Sequence, residues 1–263
     1  MKNQRPLILV TNDDGILANG IKALVEVAKN FGEVIVVAPD KPQSGQGHAI
    51  TLTNPLRVRK VDPFNGIEAY ECSGTPADCV KIARHSILKD RKIDLVVSGI
   101  NHGNNASLSV IYSGTMSAAV EAVIEGIPAI GFSLDQFGYD ADFSHTRPYL
   151  KSIIEKVISD GLPKHVALNV NFPKNSEKPL EGIKVVRQTN GYWNEEFDER
   201  TSPAGRPYFW MGGEFVNREP EAKDNDIWAL ENNYVAVVPV HYDRTDYKAL
   251  NFLGENFFDT QDQ

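Results

Sequence analysis

The sequence predicts an α/β protein with a Rossmann-like, three-layer core, a mostly parallel sheet and a C-terminal extension. Short apolar runs typical of buried strands alternate with amphipathic helices through the first 135 residues, as in parallel sheets covered by helices on both faces. The 263 residues, 41% of them hydrophobic, also suffice to bury a large core without metals or disulfides. We therefore predict a Rossmann-like core over 1–140. The C-terminal part, 141–263, completes the core and carries a projecting hairpin and a terminal helix.

The first unit is a strand, a helix and a second strand. The apolar residues 7–10 predict a buried strand that ends on the acidic pair Asp13-Asp14. A helix follows over 21–28, because its apolar residues recur at the three- and four-residue spacing of one helix face. Residues 33–39 form a second apolar run that ends on proline. Such a unit places its two strands parallel, with a right-handed crossover.

The rest of the core alternates in the same way. Apolar and polar residues alternate over 49–60 and predict a hairpin arm. One helix begins at Pro76 with Thr75 as its N-cap, and another begins at Ser113. The remaining core strands are apolar runs between turn signals, at 67–72, 94–101 and 128–133.

The second part of the chain is less regular. An apolar stripe predicts a helix over 150–158, apolar runs predict strands at 166–170 and 233–240, and a terminal helix is expected over 247–258. Residues 191–213 instead mix polar side chains with aromatic ones, at Tyr192, Trp193, Phe197, Tyr208, Phe209 and Trp210. This segment either projects as a hairpin that forms an interface or covers a small core beneath a long loop.

Charge and cysteine content exclude several classes of function. The net charge of −8 argues against binding to a nucleic acid polymer or an anionic membrane. No apolar run approaches the roughly 18 residues of a membrane span, and the first run is too short for a signal peptide. Two cysteines are too few for a secreted disulfide scaffold. We therefore expect a cytoplasmic protein. The negative net charge does not exclude binding of a small anionic ligand, because a bound divalent cation reverses the sign of the local electrostatic field.

Oxygen-bearing side chains follow the predicted parallel strands where each strand ends. Asp13 and Asp14 follow the first strand, Ser44 lies in the loop after the second, and Asn101 ends the strand at 94–101. The carboxyl ends of parallel strands share one edge of a sheet, where ligands bind in open α/β folds. Carboxylate, hydroxyl and amide oxygens suit a hard cation such as Mg²⁺ or Mn²⁺. A tight turn alone would also explain Asp-Asp-Gly.

The helix start at Ser113-Gly114-Thr115 is a candidate anion site. Free backbone N–H groups, the positive end of the helix dipole and two hydroxyls lie together there. A cation site and an anion site on the same edge are typical of phosphoryl transfer.

A set of motifs stands in the order in which one known family has them. The motifs are Asn12-Asp13-Asp14-Gly15, Ala38-Pro39-Asp40 with Ser44-Gly45, Gly74-Thr75-Pro76, Ser98-Gly99-Ile100-Asn101 with Gly103 and Asn105, and Tyr112-Ser113-Gly114-Thr115. The sequence therefore resembles the SurE family of stationary-phase survival proteins, metal-dependent nucleotidases, over nearly its whole length. It departs at 106–109, which lack the glycine and acidic residues common in relatives, and at Met116, where valine is frequent. These departures leave loop conformation and substrate range open.

The resemblance implies hydrolysis of nucleoside 5′-monophosphates, often of 3′-monophosphates, and in some members of short polyphosphate. It implies one divalent metal ion per subunit, Mg²⁺ or Mn²⁺, held by Asp13, Asp14, Ser44 and Asn101. Phosphate and substrate contacts fall on Asn12, Gly45, Asn105, Ser113, Gly114 and Thr115. The family's homodimers and homotetramers assemble through the C-terminal half. The core over 1–140 is then the catalytic one, and the C-terminal extension serves oligomerisation.

The catalytic roles of Asp13 and Asp14 stay open between two routes. Either one carboxylate ligates the metal while the other takes a proton from an attacking water, or an aspartate attacks the phosphorus itself. His48 and His102 lie next to the site in sequence. Each is either a proton donor to the leaving group or a hydrogen-bonded loop residue without a role in the reaction.

Two functions of other classes compete with hydrolysis. A signalling receiver domain also places an acidic pair after its first strand, but this chain lacks the aspartate and lysine that a receiver needs at later strand ends. A non-catalytic nucleotide-binding module would need a Gly-x-Gly-x-x-Gly turn, which is also absent after the first strand.

Overall fold

A nine-stranded sheet forms the centre of the protein. The computed structural model describes residues 5–138, 140–175 and 178–254. The strands are β1 (Leu7–Thr11), β2 (Glu33–Pro39), β3 (Val58–Val61), β4 (Ala69–Cys72), β5 (Leu95–His102), β6 (Ala129–Leu134), β7 (Val166–Phe172), β8 (Ile183–Val185), β9 (Gly191–Thr201), β10 (Pro207–Asn217) and β11 (Val235–His241). Their order in the sheet is β3-β4-β2-β1-β5-β6-β7-β11-β8, and β9 and β10 pair separately. Within the described residues only the β3–β4 and β7–β11 pairings of this sheet are antiparallel, which confirms the predicted mostly parallel sheet.

Helices cover both faces of the sheet. They are α1 (Asn19–Ala28), α2 (Pro76–Ile82), α3 (Ser109–Tyr112), α4 (Gly114–Ile124), α5 (Arg147–Asp160), α6 (Asp226–Glu231) and α7 (Tyr247–Leu253). A π-helical turn, Ala83–Ile87, continues α2, and a 3₁₀ turn, Ser144–Thr146, precedes α5. Thr75 caps α2 as predicted, in a capping box with Asp78 and with proline at the first helical position.

The alternation of side chains along β1 explains the three layers. Ile8 and Val10 belong to the apolar cluster that includes residues of α1 and α5, whereas Leu7 and Leu9 belong to the cluster that includes residues of α2 and α4. Both faces of the strand are therefore buried, which is typical of parallel sheets. The helices pack closely, and a side chain at Gly20 of α1 would place its Cβ 1.9 Å from the carbonyl oxygen of Ile100 in β5.

The described residues after 140 add strands to the same sheet. Strands β7, β11 and β8 extend it beyond β6, and α5 joins the apolar cluster that contains Ile8 and Val10. The division of the chain at residue 140 stays a prediction. Residues 191–217 form a hairpin, one of the two alternatives expected for 191–213, in which β9 and β10 pair with each other over eleven residues.

Some elements differ from the sequence prediction. Residues 49–60 do not form a hairpin arm: only Val58–Val61 is a strand, and it pairs with β4. The preceding backbone instead contacts α2, where the Thr75 hydroxyl donates to the Ala49 carbonyl and the Thr51 N–H donates to Asp78. The terminal helix is seen over Tyr247–Leu253, and the rest of its predicted span, from 255 on, lies outside the described residues. The short elements β8, α3 and α6 were not predicted.

No helix in the described part of the chain is long and apolar enough to span a membrane.

Candidate active site

The ends of β1 and β5 place the predicted acidic pair beside Asn101 and His102. The two strands are parallel neighbours, with Thr11 aligned to Ser98, so the residues that follow share one sheet edge. The loop after β2 reaches the same place, where Asp14, Ser44 and His102 line a cleft of about 430 Å³ with Pro42. These chain segments therefore lie together, as the sequence predicts. The roles of their residues stay predictions.

Asp13 is the more deeply buried member of the acidic pair. Its side chain contacts the start of α4, where the Thr115 hydroxyl donates to Oδ1. Gly114 allows this approach, since a Cβ there would lie 2.6 Å from the Cβ of Asp13. Burial and then the charge of Asp14 raise the pKa of Asp13 to about 6, although the Thr115 hydrogen bonds oppose that shift. The hydrogen bonds to Asp13 therefore do not fully compensate the negative charge of its carboxylate.

The helix start engages both of its hydroxyls, but in different ways. Ser113 is the N-cap of α4, and its Oγ accepts from the N–H of Met116, which leaves its O–H able to donate to an anion. The Thr115 hydroxyl and backbone N–H both donate to Asp13 and are not spare in this arrangement. The backbone contribution expected at the positive end of the helix therefore falls on the N–H of Gly114.

Two asparagines shape the strand ends around the acidic pair. The side-chain Nδ2 of Asn12 donates to the Gly15 carbonyl at 2.9 Å, which closes the turn after β1. Its Oδ1 is buried and has no hydrogen-bond partner in the described part of the chain. The Nδ2 of Asn101 donates to the Gly103 carbonyl at 2.8 Å, which leaves its Oδ1 as the atom to bind a cation.

Asn105 is held from several sides. Its Nδ2 donates to Ser133 Oγ at 2.8 Å, its backbone N–H donates to the side chain of Asn171, and its carbonyl accepts from the side chain of Asn169. One of the two hydrogens of the amide nitrogen is engaged with Ser133, so the second is the donor that a phosphate contact from Asn105 would use. Gly45 has a φ of +71° and open space at its Cβ position, so the loop after β2 exposes its backbone there.

The loop that follows Asn105 is fastened to the C-terminal part of the chain. Asp226 is fully buried and accepts from the Ser107 N–H at 2.8 Å and from the Thr189 N–H and hydroxyl at 2.9 and 2.6 Å. Ser107 in turn donates its hydroxyl to the Thr189 carbonyl. Residues distant in sequence therefore fix the loop beside the site.

The two histidines next to the site have different surroundings. His48 contacts Glu121 of α4 at 2.8 Å, and Lys81 contacts the other oxygen of this carboxylate. Burial raises the pKa of Glu121, but the hydrogen bonds from His48 and Lys81 outweigh it and the net shift is downward. His48 is therefore a hydrogen-bonded loop residue. His102 instead contacts Asp14, with Nδ1 at 2.9 Å from Oδ2.

The donors at this edge fit a hard divalent cation. Two adjacent carboxylates repel each other, and this repulsion is the second cause, after burial, of the raised pKa of Asp13. A cation between them would relieve it. The described residues contain no group of three or more His, Cys, Asp or Glu side chains placed to hold a metal ion. A set of two carboxylates completed by Ser44 and Asn101 has a different composition, and its oxygens are those that Mg²⁺ and Mn²⁺ prefer.

Some residues around the site were not identified from the sequence. The roles of Asn169, Asn171 and Asp226 depend on contacts across 64 to 119 positions. Asn-Val-Asn within an apolar strand is the one local signal, because polar side chains buried in a central strand need specific partners.

Comparison with known proteins gives consistent matches. The family described as "Survival protein SurE" matches residues 8–195. A protein of Cytophaga hutchinsonii named 5′-nucleotidase SurE is 58% identical over 96% of this chain and 97% of its own length. A protein of the same name from Christiangramia forsetii is 60% identical over 97% of this chain and 98% of its own length. The crystal structure of the SurE protein from Aquifex aeolicus, 40% identical, superposes with a TM-score of 0.80 over 95% of this chain and 99% of that one.

Proposed function

The chain belongs to the SurE family, and from that membership we propose that it hydrolyses nucleoside 5′-monophosphates to nucleoside and phosphate with the help of a divalent metal ion. The activity class, 5′-nucleotidase, rests on near-full-length identity to the relatives of that name. Membership also removes the receiver domain and the non-catalytic nucleotide-binding module as alternatives. The metal dependence, the residue roles and the wider substrate range are proposals from the chemistry of the site.

One observation carries the assignment of the site. A buried carboxylate, Asp13, lies against the N-terminus of α4, while its neighbour Asp14 faces the same cleft as Ser44. A phosphomonoester brings negative charge that needs both a cation and backbone N–H donors, and this edge of the sheet offers ligands for the first next to the second. We therefore assign Asp13, Asp14, Ser44 and Asn101 as the ligands of one Mg²⁺ or Mn²⁺ ion per subunit.

A bound divalent ion would polarise a phosphate oxygen and lower the pKa of a water molecule. The helix start would stabilise the charge on the transferred phosphoryl group through the N–H of Gly114 and the O–H of Ser113. One of Asp13 and Asp14 would ligate the ion while the other takes the proton of the attacking water, and an aspartate as nucleophile uses the same residues. We further assign substrate contacts to Asn12, Gly45, Asn105 and Ser113.

The route can be decided by trapping the protein during turnover. Attack by an aspartate breaks the bond from phosphorus to the nucleoside oxygen and leaves an aspartyl phosphate, which water then hydrolyses to phosphate and the free carboxylate. Acid quenching during turnover of ³²P-labelled AMP therefore labels the protein if an aspartate attacks, and leaves it unlabelled if water attacks directly.

The substrate range and assembly are further proposals. From the family resemblance we extend the substrates to 3′-monophosphates and short polyphosphate, and exclude nucleic acid polymers because the net charge is −8. We propose a homodimer or homotetramer. Hairpin β9–β10 exposes Phe197, Trp210 and Met211, and a two-stranded hairpin is at most marginally stable without a covering surface. The free cysteines suit a cytoplasmic location.

Phosphate release tests the proposed function. We expect the full-length chain to release phosphate from AMP when Mn²⁺ or Mg²⁺ is present, and to stop when EDTA removes the metal. A panel of 5′-monophosphates, 3′-monophosphates and tripolyphosphate defines the range. Unchanged phosphate release in excess EDTA would contradict the metal dependence, and an Asp13→Asn variant with full activity would contradict the assigned site.

A further inference from the structure

One oxygen of Asp14 is held by two groups of the same residue. The backbone N–H of His102 donates to Oδ2 of Asp14 at 3.2 Å, and the ring Nδ1 lies 2.9 Å from the same oxygen. A carboxylate can only accept, so this contact requires the proton of the ring to be on Nδ1. Both donors use Oδ2, and no other hydrogen bond or ion pair to the Asp14 side chain is found among the described residues. Oδ1 is therefore the oxygen that stays available to another ligand.

The ring of His102 is itself fixed in place. Only 12% of its side chain is exposed, and its edge packs against the ring of Phe143, with centroids 5.2 Å apart at 88°. The preceding residue, Asn101, is tied to the Gly103 carbonyl. A rigid donor of this kind holds a carboxylate in one orientation more firmly than a solvated side chain could.

We propose that His102 is a positioning residue for the metal site: by holding Oδ2 of Asp14 through Nδ1, it presents Oδ1 to the cation. This inference rests on the proposed function, since it takes Asp14 as a metal ligand. Carboxylates that bind metals are themselves held by hydrogen bonds, and loss of such a partner typically weakens metal binding by about 10- to 100-fold. The end of β5 then supplies two adjacent parts of the site, a ligand at Asn101 and the group that orients another ligand at His102.

The other ring nitrogen allows a competing role to be tested. Nε2 of His102 is buried and has no hydrogen-bond partner in the described part of the chain. As a proton donor to the leaving group, His102 would act through Nε2, whereas positioning uses Nδ1. The amide nitrogen of asparagine is as many bonds from Cα as Nδ1, and that of glutamine as many as Nε2. His102→Asn therefore keeps the donor to Asp14, and His102→Gln removes it.

Mn²⁺ binding to the metal-stripped full-length chain tests the proposal, measured by electron paramagnetic resonance of free Mn²⁺. We expect His102→Asn to bind within about threefold of the unaltered chain, and His102→Gln and His102→Ala to bind about 10- to 100-fold more weakly. His85→Ala is the matched control, because this histidine also pairs with a carboxylate, that of Glu125, but lies on the exposed surface. Melting temperatures of the metal-free variants show that each one folds. If His102→Ala does not fold, the Asn and Gln variants carry the comparison alone.

Each outcome has one meaning. Weak binding by Gln and Ala with rescue by Asn supports the proposal, and AMP turnover restored by excess Mn²⁺ supports it further. Equal Mn²⁺ affinity in all His102 variants overturns it while the metal site stands. Equal Mn²⁺ affinity in all His102 variants, together with a loss of AMP turnover but not of p-nitrophenyl phosphate turnover, whose leaving group needs no proton, assigns the role to Nε2 and also overturns it. If the unaltered chain binds no Mn²⁺, the proposed function fails first.

Discussion

Replacing Asp13 by asparagine should stabilise the metal-free protein at neutral pH. Burial and the charge of Asp14 raise the pKa of Asp13 from 3.8 to about 6, so the folded state binds the proton more tightly than the unfolded chain does. Stability therefore falls as pH rises from about 4 to 6 and stays reduced above that range. A shift of about two units corresponds to about 3 kcal/mol, as an upper bound. For a chain of this length that is roughly 5 °C in melting temperature.

The assay is calorimetric melting of the EDTA-treated chain and its Asp13→Asn variant between pH 4 and pH 8. We expect the variant to melt higher at pH 7–8 and the difference to shrink toward pH 4, where Asp13 is protonated in the folded state and only partly ionised in the unfolded chain. Mn²⁺ should stabilise only the unaltered chain strongly, since the cation offsets the repulsion that the variant lacks.

Asp94 provides a control of opposite sign. Burial raises its pKa, but hydrogen bonds from Lys92 and the Leu7 N–H outweigh this and the net shift is downward. Its contribution to stability is therefore present at neutral pH and lost on acidification, so Asp94→Asn should destabilise at pH 7. If Asp13→Asn melts at or below the unaltered chain at pH 8, or if the difference does not change with pH, the reasoning about Asp13 is wrong.

Three further substitutions test other parts of the structure. Gly114→Ala should force the Asp13 carboxylate out of place, lowering kcat/KM for AMP by at least about tenfold and stability by about 1–3 kcal/mol, since the new Cβ would lie 2.6 Å from Asp13. Asp226→Ala should lower the free energy of unfolding in urea by about 3 kcal/mol or more, because each buried donor left without a partner costs about 1–3 kcal/mol. Trp210→Glu should shift the chain toward monomer in light scattering, because this side chain is 62% exposed on the hairpin.

Each of these substitutions has its own check. Gly212→Ala introduces a Cβ with open space around it, so its stability and activity should match those of the unaltered chain. Full activity of Gly114→Ala would show that Asp13 tolerates displacement. A stability change below about 1 kcal/mol in Asp226→Ala would mean that water replaces the carboxylate. An unchanged oligomer in Trp210→Glu would remove the hairpin from the proposed interface.

The core strands were predictable because their local patterns agree with their burial. Residues 7–10 and 33–39 are apolar on both faces, and both became central parallel strands. Residues 49–60 show the limit of this reasoning. Their alternation is typical of a strand, but the Ala49 carbonyl and the Thr51 N–H contact the start of α2 instead, so a tertiary contact overrode the local preference.

Only the positions of site residues at the strand ends could be predicted from the sequence. Parallel neighbours bring Asp14 and Asn101 to one edge, and that follows from the order of strands alone. The direction of individual side chains does not follow. The sequence placed His48 and His102 equally near the site, but one contacts Glu121 and the other Asp14. Likewise the Thr115 hydroxyl, expected to face an anion, donates to Asp13.

The hydrogen bond from Ser107 to Asp226 limits how this enzyme could be truncated or combined with a relative in a chimera. A fragment that ends near residue 140 would lack both the carboxylate that accepts from Ser107 and the amides of Asn169 and Asn171 that hold Asn105. A version trimmed to the first half would therefore lose the hydrogen bonds that hold Asn105 and Ser107 even if its strands still paired. For the same reason, chimeras between relatives should exchange the loop and its distant anchors together.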